Sequence, residues 1–178
     1  MISINQPLPT FNLTGVISAN PTNAFIQLTD QDYADQWKVI FFWPKDFTFV
    51  CPTEIVGFGK LHAEFLKRNT QILGASTDSE YVHLAWREHN AQLTHSPFPW
   101  LADIKKTFAT ELGILDEQAG VAHRATLIVS PDNLIKHISI NESKVGRNPA
   151  EILRIIDALQ TDELCPCEWQ PGEETLTA

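Results

Sequence analysis

The chain has 178 residues, of which 43% are hydrophobic and 20% charged, a composition typical of one globular domain that buries a core without disulfides or metal. Its formal net charge of −9 argues against nucleic acid or an anionic membrane as a general partner. The first residues contain no basic segment followed by a long apolar run, so we expect no Sec-type signal, no membrane span and a cytoplasmic location.

The first elements that the sequence predicts are a strand and the helix that follows it. Residues 39–43 are apolar throughout, as in a strand buried on both faces, and the strand should end at Pro44. From Cys51 to about Arg68, apolar residues recur at three- and four-residue spacing, which predicts an amphipathic helix. Cys51 should therefore lie in the first turn of this helix.

A second strand and helix follow in the same order. The strand is predicted at 71–76, and Asp78 and Ser79 are typical of the start of a helix. The predicted buried face of this helix consists of Val82, Ala85, Trp86 and His89.

The second half of the chain predicts one weak helix, a hairpin and one strong helix. The weak helix lies near 104–112, and the strand 125–130 is joined to 134–140 by a tight turn at 131–133, as in an antiparallel edge hairpin. Residues 148–151, Asn-Pro-Ala-Glu, combine an N-cap, a proline at the first helical position and an early glutamate, so a helix begins there.

Together these elements predict an α/β fold in which a mixed central sheet is flanked by helices. The order is close to that of a thioredoxin-like fold with an N-terminal extension. We expect residues 1–162 to form this domain and residues 163–178 to form a C-terminal tail.

The position of Cys51 suggests a nucleophile. At a helix start, the free N–H groups and the helix dipole favour the thiolate form of a cysteine. A thioredoxin-like redox motif would have a second cysteine three residues later, but this chain has Glu54 there. A thiolate without a neighbouring thiol suits attack on a peroxide O–O bond, for which Thr48 offers a hydroxyl. A buried, inert cysteine is the alternative.

The residues around Cys51 resemble those of a known family. The pattern Pro44-x-x-x-Thr48-x-x-Cys51 matches the signature of peroxiredoxins, and FFWPKDFTFVCPTE is similar to the typical 2-Cys, AhpC-type branch. The resemblance extends to DSEYVHLAW (78–86), AHRATLIV (122–129), VGRNPAEILR (145–154) and the tail LCPCEWQPG (164–172).

The resemblance implies a role for each matched residue. Cys51 would be the peroxidatic cysteine, Thr48 and Arg124 would orient the peroxide and activate the thiolate, and Pro44 would shield the pocket from water. Glu54 and Arg147 would form a supporting ionic network around Arg124, although a solvated surface charge is the alternative for each arginine.

The tail cysteines would complete the reaction. Cys165 matches the resolving cysteine of the family, which implies a disulfide to Cys51 of the other subunit in a homodimer. Cys167 departs from the pattern and is either a second resolver, a relay to the reductant or a spare thiol. Cys-Pro-Cys lacks a companion CxxC or histidine pair, so no zinc site is predicted, and no other cofactor is expected.

The expected function is a thiol-dependent peroxidase acting on hydrogen peroxide and organic hydroperoxides. The resemblance implies a homodimer assembling into a decameric or dodecameric ring, and an AhpD-like adaptor, thioredoxin or an AhpF-like flavoprotein as reductant. A protein thiol-disulfide oxidoreductase and a holdase chaperone or redox relay are the alternatives.

Overall fold

The structure is a computed structural model that describes residues 2–177. Met1, in the predicted domain 1–162, and Ala178, in the predicted tail 163–178, lie outside the described residues. The strands are Asn12–Val16 (β1), Phe25–Thr29 (β2), Trp37–Phe42 (β3), Thr70–Ser76 (β4), Trp100–Ala102 (β5), Leu115–Asp116 (β6), Val121–Ala122 (β7), Arg124–Val129 (β8) and Ile135–Asn141 (β9). The helices are Cys51–Lys67 (α1), Glu80–His89 (α2), Thr107–Glu111 (α3) and Pro149–Thr161 (α4).

Seven of these strands form one mixed sheet in the order β2-β1-β5-β4-β3-β8-β9. The central strands β5, β4 and β3 are parallel, and the strands on both sides of them are antiparallel to their neighbours. Helices α1, α2 and α4 supply residues to the core on one face, and α3 supplies residues to the core on the other. The predicted mixed sheet flanked by helices is confirmed.

Strand β3 is buried on both faces, as its continuous apolar sequence predicts. Val39 and Phe41 point into the core under α1 and α4, whereas Ile40 and Phe42 point into the core under α3. Because successive side chains of a strand alternate between faces, only an uninterrupted apolar run can fill both cores. The strand ends at Phe42, one residue before the predicted end.

The boundaries of the other strongly patterned elements also agree with the sequence. Helix α1 begins at Cys51 as predicted. Helix α4 begins with Asn148 as its N-cap, whose side chain accepts a hydrogen bond from the Ala150 N–H. The β8–β9 hairpin is antiparallel and includes the outermost strand β9. The weak helix is shorter than predicted, because α3 spans only Thr107–Glu111.

The N-terminal extension is part of the sheet. Strands β1 and β2 form an antiparallel pair, and β1 joins the sheet beside the short strand β5. The sequence did not predict these three strands, because β1 and β2 contain polar residues and β5 has only three residues.

The predicted buried face of α2 is wrong in three of its four positions. Val82 and Ala85 are only partly buried and His89 is exposed, while the buried side chains include the polar His83 and Arg87. Arg87 donates hydrogen bonds to the backbone oxygens of residues 96 and 98, and its guanidinium lies 4.2 Å from the centre of the Trp100 ring. Burial lowers the pKa of Arg87 to about 10, and the charge of Asp46 opposes this shift. The arginine remains charged at neutral pH.

Within residues 2–177, no helix is long and apolar enough to cross a membrane.

Candidate active site

Cys51 lies at the start of helix α1, which follows the central strand β3 in the chain. A loop of residues 43–50 joins the two elements, and Cys51 is the first residue of the helix. The cysteine is only 1% exposed, so it lies beneath the protein surface. The N-terminal end of a 17-residue helix places the positive end of the helix dipole at this residue.

Arg124 contacts the sulfur directly. It is the first residue of β8, which is antiparallel to β3, so it lies at the end of the sheet where the chain leaves β3 for Cys51. Its Nη1 donates to Cys51 Sγ at 3.2 Å and to Glu54 Oε2 at 2.7 Å. Its Nε donates to the backbone oxygen of Ser143 at 2.6 Å, so both edges of the guanidinium are held.

Glu54 joins the two arginines into one buried cluster. Arg147 donates from Nε to Glu54 Oε1 and from Nη2 to Oε2, each at 2.8 Å, and its backbone N–H donates to Oε1 at 3.0 Å. The three charged side chains are each at most 5% exposed. One carboxylate compensates only one of the two guanidinium charges, which leaves net positive charge beside the sulfur of Cys51.

Thr48 and Pro44 both lie in the loop before Cys51 and are partly buried. The Thr48 hydroxyl donates to the backbone oxygen of Lys45 at 2.9 Å, which leaves its oxygen lone pairs to accept a hydrogen bond. The backbone φ of Phe47, just before Thr48, is +56°, a conformation that non-glycine residues adopt at a cost.

A buried polar network under this loop was missed by the sequence analysis. Asp46 accepts from Trp43 Nε1 at 2.7 Å and faces His83 Nδ1 at 2.7 Å, while His83 Nε2 lies 3.2 Å from the backbone oxygen of Leu101. Both ring nitrogens of His83 therefore have a polar partner, which satisfies a histidine that is fully buried. The network ties the loop to α2 and β5. The available sequence signal was His83 itself, which lies between the apolar residues Val82 and Leu84.

The two tail cysteines follow the end of α4 in the chain and lie beside that helix. Cys165 is partly buried, with Sγ 3.5 Å from Thr161 Oγ1 and 3.8 Å from the backbone oxygen of Ala158, and Cys167 is exposed. Both line a groove of about 480 Å³ together with Arg154. Within residues 2–177 all three cysteines are free thiols, and no group of three or more histidine, cysteine or acidic side chains could hold a metal ion.

Comparisons of the sequence and of the structure with known proteins indicate the same family. A model of the AhpC/TSA family matches residues 4–138. The alkyl hydroperoxide reductase C of Mycolicibacterium smegmatis is 44% identical over 186 residues, which cover 100% of this chain and 95% of that protein. The structure of Mycobacterium tuberculosis AhpC superposes with a TM-score of 0.87 at 44% identity, covering 96% of this chain and 99% of that one. The structure of the reduced 2-Cys peroxiredoxin of Plasmodium vivax superposes with a TM-score of 0.91 at 31% identity, covering 98% of this chain and 93% of that one.

The fold and these relatives define a thiol-dependent peroxidase with a thioredoxin-like core. The chain belongs to the AhpC/TSA family, as the resemblance of its motifs indicated. The predictions of family, fold class and enzyme class are therefore confirmed.

Proposed function

We propose that Cys51 reduces hydrogen peroxide and organic hydroperoxides. The Cys51 thiolate attacks the terminal peroxide oxygen, the O–O bond breaks, and the products are a Cys51 sulfenic acid and water or an alcohol, with a proton taken up by the departing oxygen. The observation that supports this best is the 3.2 Å contact from Arg124 Nη1 to Cys51 Sγ. A charged donor at that distance favours an electron-rich sulfur.

Arg124 has a second function in this proposal. The guanidinium is fixed by Glu54 and by the backbone oxygen of Ser143 before substrate arrives. Charge develops on the departing oxygen as the O–O bond breaks, and a donor that is already in place stabilises it without reorganisation. Glu54 and Arg147 hold this donor in position.

Thr48 is proposed to orient the hydroperoxide. Its proton is directed to the backbone oxygen of Lys45, so its lone pairs accept the O–H of the substrate and turn the reactive oxygen toward Cys51. Pro44, at the start of the same loop, is proposed to keep water from the pocket, since it carries no backbone N–H to bind one.

The variant Thr48→Val is expected to lower the rate of reaction with hydrogen peroxide by roughly a hundredfold, because the substrate loses one of its orienting hydrogen bonds. Thr48→Ser keeps the hydroxyl and should stay close to the original rate. Stopped-flow fluorescence of the reduced protein measures both rates. Equal rates for the valine and serine variants would contradict the proposed role.

The sulfenic acid is proposed to be trapped by Cys165 of a second copy of the chain. The Cys165 thiolate attacks the sulfur of the Cys51 sulfenic acid, hydroxide leaves and takes a proton to form water, and an intersubunit disulfide results. Cys167, two residues away and exposed, is proposed as a second resolver or as a relay that passes the disulfide to the reductant.

This resolution step predicts a disulfide-linked dimer. After one equivalent of hydrogen peroxide, a non-reducing gel of the original protein should show a covalent dimer, which is also present in Cys167→Ser. In Cys165→Ser this dimer should be absent if Cys167 is a relay and retained in part if Cys167 is a second resolver. A dimer that persists in Cys165→Ser but disappears in Cys167→Ser would assign the resolving function to Cys167 instead.

The proposed assembly is a homodimer that forms a decameric or dodecameric ring. Strand β9 is the outermost strand of the sheet, and apolar side chains at Ile140 and Val145 are exposed on it and after it. A second exposed apolar set, with Phe47, Phe49 and Tyr81, lies before Cys51 and on α2. Two separate apolar surfaces would allow both a dimer contact and a ring contact.

The disulfide requires a dithiol reductant from outside the chain. An AhpD-like adaptor is favoured because the Cys-x-Cys tail departs from the usual pattern, with thioredoxin and an AhpF-like flavoprotein as the alternatives. The cytoplasmic location and the division into residues 1–162 and 163–178 stay predictions.

A further inference from the structure

The tail after α4 is a closed loop in this structure. The backbone N–H of Leu176 donates to the backbone oxygen of Leu164 at 2.8 Å, so the ends of the segment 164–176 lie side by side. Compact surface segments whose ends meet in this way are packed by their own side chains. Cys165 and Cys167 both lie inside this closed loop.

Few polar contacts hold the loop on α4. Arg154 Nη1 donates to the backbone oxygen of Trp169 at 2.9 Å, and Trp169 is 4% exposed. The other polar contacts between this loop and α4 that involve described residues are the long ones from the sulfur of Cys165, to Thr161 and to the backbone oxygen of Ala158. The guanidinium therefore supplies the one charged hydrogen bond across this boundary within residues 2–177.

Arg154 is itself held in a fixed orientation. Glu151, one turn earlier on α4, accepts from Arg154 Nε at 2.7 Å and from Nη2 at 2.8 Å. This two-point contact orients the planar guanidinium so that Nη1 faces the tail. Hydrogen bonding to Arg154 also holds the pKa of Glu151 below its ordinary value, so the pair is charged at neutral pH.

The docked position of Cys165 does not suit the reaction proposed above. Its sulfur lies against the last turn of α4, and a disulfide requires the two sulfurs to come within about 2.05 Å of each other. The intended target, Cys51 of a second copy, is itself buried. The tail must therefore leave α4 before the disulfide forms.

We propose that Arg154 is the positioning residue that holds the tail on α4 through the backbone oxygen of Trp169, and that Cys165 becomes available for resolution only when this contact opens. The proposal rests on the proposed function for the identity of the reaction, but the opening itself is a property of the reduced protein. Arg154 thereby sets the interval between formation of the sulfenic acid and its resolution.

The test measures how fast each thiol of the reduced protein is alkylated by iodoacetamide, resolved by mass spectrometry. Replacing a charge-assisted hydrogen bond changes an opening equilibrium by on the order of tenfold. In Arg154→Met, Cys165 should therefore be alkylated roughly tenfold faster, while Cys51 should be unchanged because its burial does not depend on the tail. Arg154→Lys, which can still donate to Trp169, should restore much of the slow alkylation.

Arg68→Met is the matched control. The side chains of Arg68 and Arg154 are each 24% exposed, and Arg68 also pairs with a carboxylate of α4, Asp157. Arg68 makes no hydrogen bond or ion pair with residues 163–177, the part of the tail that the structure describes. This variant should leave the ratio of Cys165 to Cys51 alkylation unchanged. If Arg154→Met leaves Cys165 as slow as before, or raises Cys165 and Cys51 together, the proposal is overturned.

Peroxide kinetics separate this proposal from the proposed function. In Arg154→Met the fast peroxide phase should keep its rate, and the later resolution phase should become roughly tenfold faster. If no peroxide-dependent phase occurs in any variant, the proposed function fails, and the alkylation comparison still decides the role of Arg154. A resolution phase that slows in Arg154→Met would overturn the proposal.

Discussion

Cys51→Ser is expected to abolish the fast reaction with hydrogen peroxide, lowering its rate constant by at least about a thousandfold, as removal of an enzyme nucleophile does. Serine has nearly the same size and can accept the hydrogen bond from Arg124, so the fold should be retained. The difference lies in the chemistry, because a hydroxyl at neutral pH is a far weaker nucleophile toward a peroxide oxygen than a thiolate.

Stopped-flow tryptophan fluorescence of the reduced protein measures this reaction, and the chain contains five tryptophans. Trp43 and Trp86 lie close to the loop before Cys51, since Trp43 bonds to Asp46 and Trp86 packs against Phe47. Cys165→Ser is the comparison, because it should keep the fast phase and lose the later one. A fast phase of unchanged rate in Cys51→Ser would rule out Cys51 as the peroxidatic residue.

Glu54→Gln is expected to lower both stability and activity. The neutral amide leaves the buried guanidinium groups of Arg124 and Arg147 without a counter-charge and directs an NH₂ group toward one of them. Removing one partner of a buried ion pair costs about 3–5 kcal/mol of the free energy of unfolding. The rate of the peroxide reaction should fall roughly a hundredfold as well, because Arg124 is no longer held against Cys51.

Urea denaturation and stopped-flow kinetics on the same samples measure the two effects. Glu64→Gln is the matched control on the same helix, because Glu64 also pairs with two basic side chains, Lys67 and Arg68, but at the surface. Exposed ion pairs contribute little, so this variant should behave like the original protein. If both glutamine variants unfold at the same urea concentration, Glu54 does not support the site in the way we describe.

The parts of the fold that the sequence predicted share one property, which is a strong local pattern. Strand β3 is an uninterrupted apolar run, α1 has helical spacing, and the start of α4 combines Asn148 and Pro149. In each case the local preference and the tertiary environment agree. The positions of Arg124 and Arg147 could be expected only from the resemblance, because their contacts with Glu54 join distant parts of the chain.

The incorrect predictions arise where tertiary contacts satisfy buried polar groups. Hydrophobic spacing favoured Val82 and Ala85 as the inner face of α2, but His83 and Arg87 are buried because Asp46 and backbone oxygens bind them. No local rule indicates that partners 9 to 37 residues away will be in place. The contact of Cys51 with Arg124 is equally non-local, because Cys51 begins α1 and Arg124 begins β8.

The cluster around Glu54 also determines the order in which this protein becomes functional during synthesis. Cys51 and Glu54 come from the first third of the chain, whereas Arg124 and Arg147 follow Glu54 by 70 and 93 residues. A ribosome-bound chain that ends before residue 124 therefore contains the cysteine without either guanidinium. The thiol acquires its charged surroundings only after the last strands of the sheet have been made and have docked, so a reactive Cys51 reports a chain that has completed its fold.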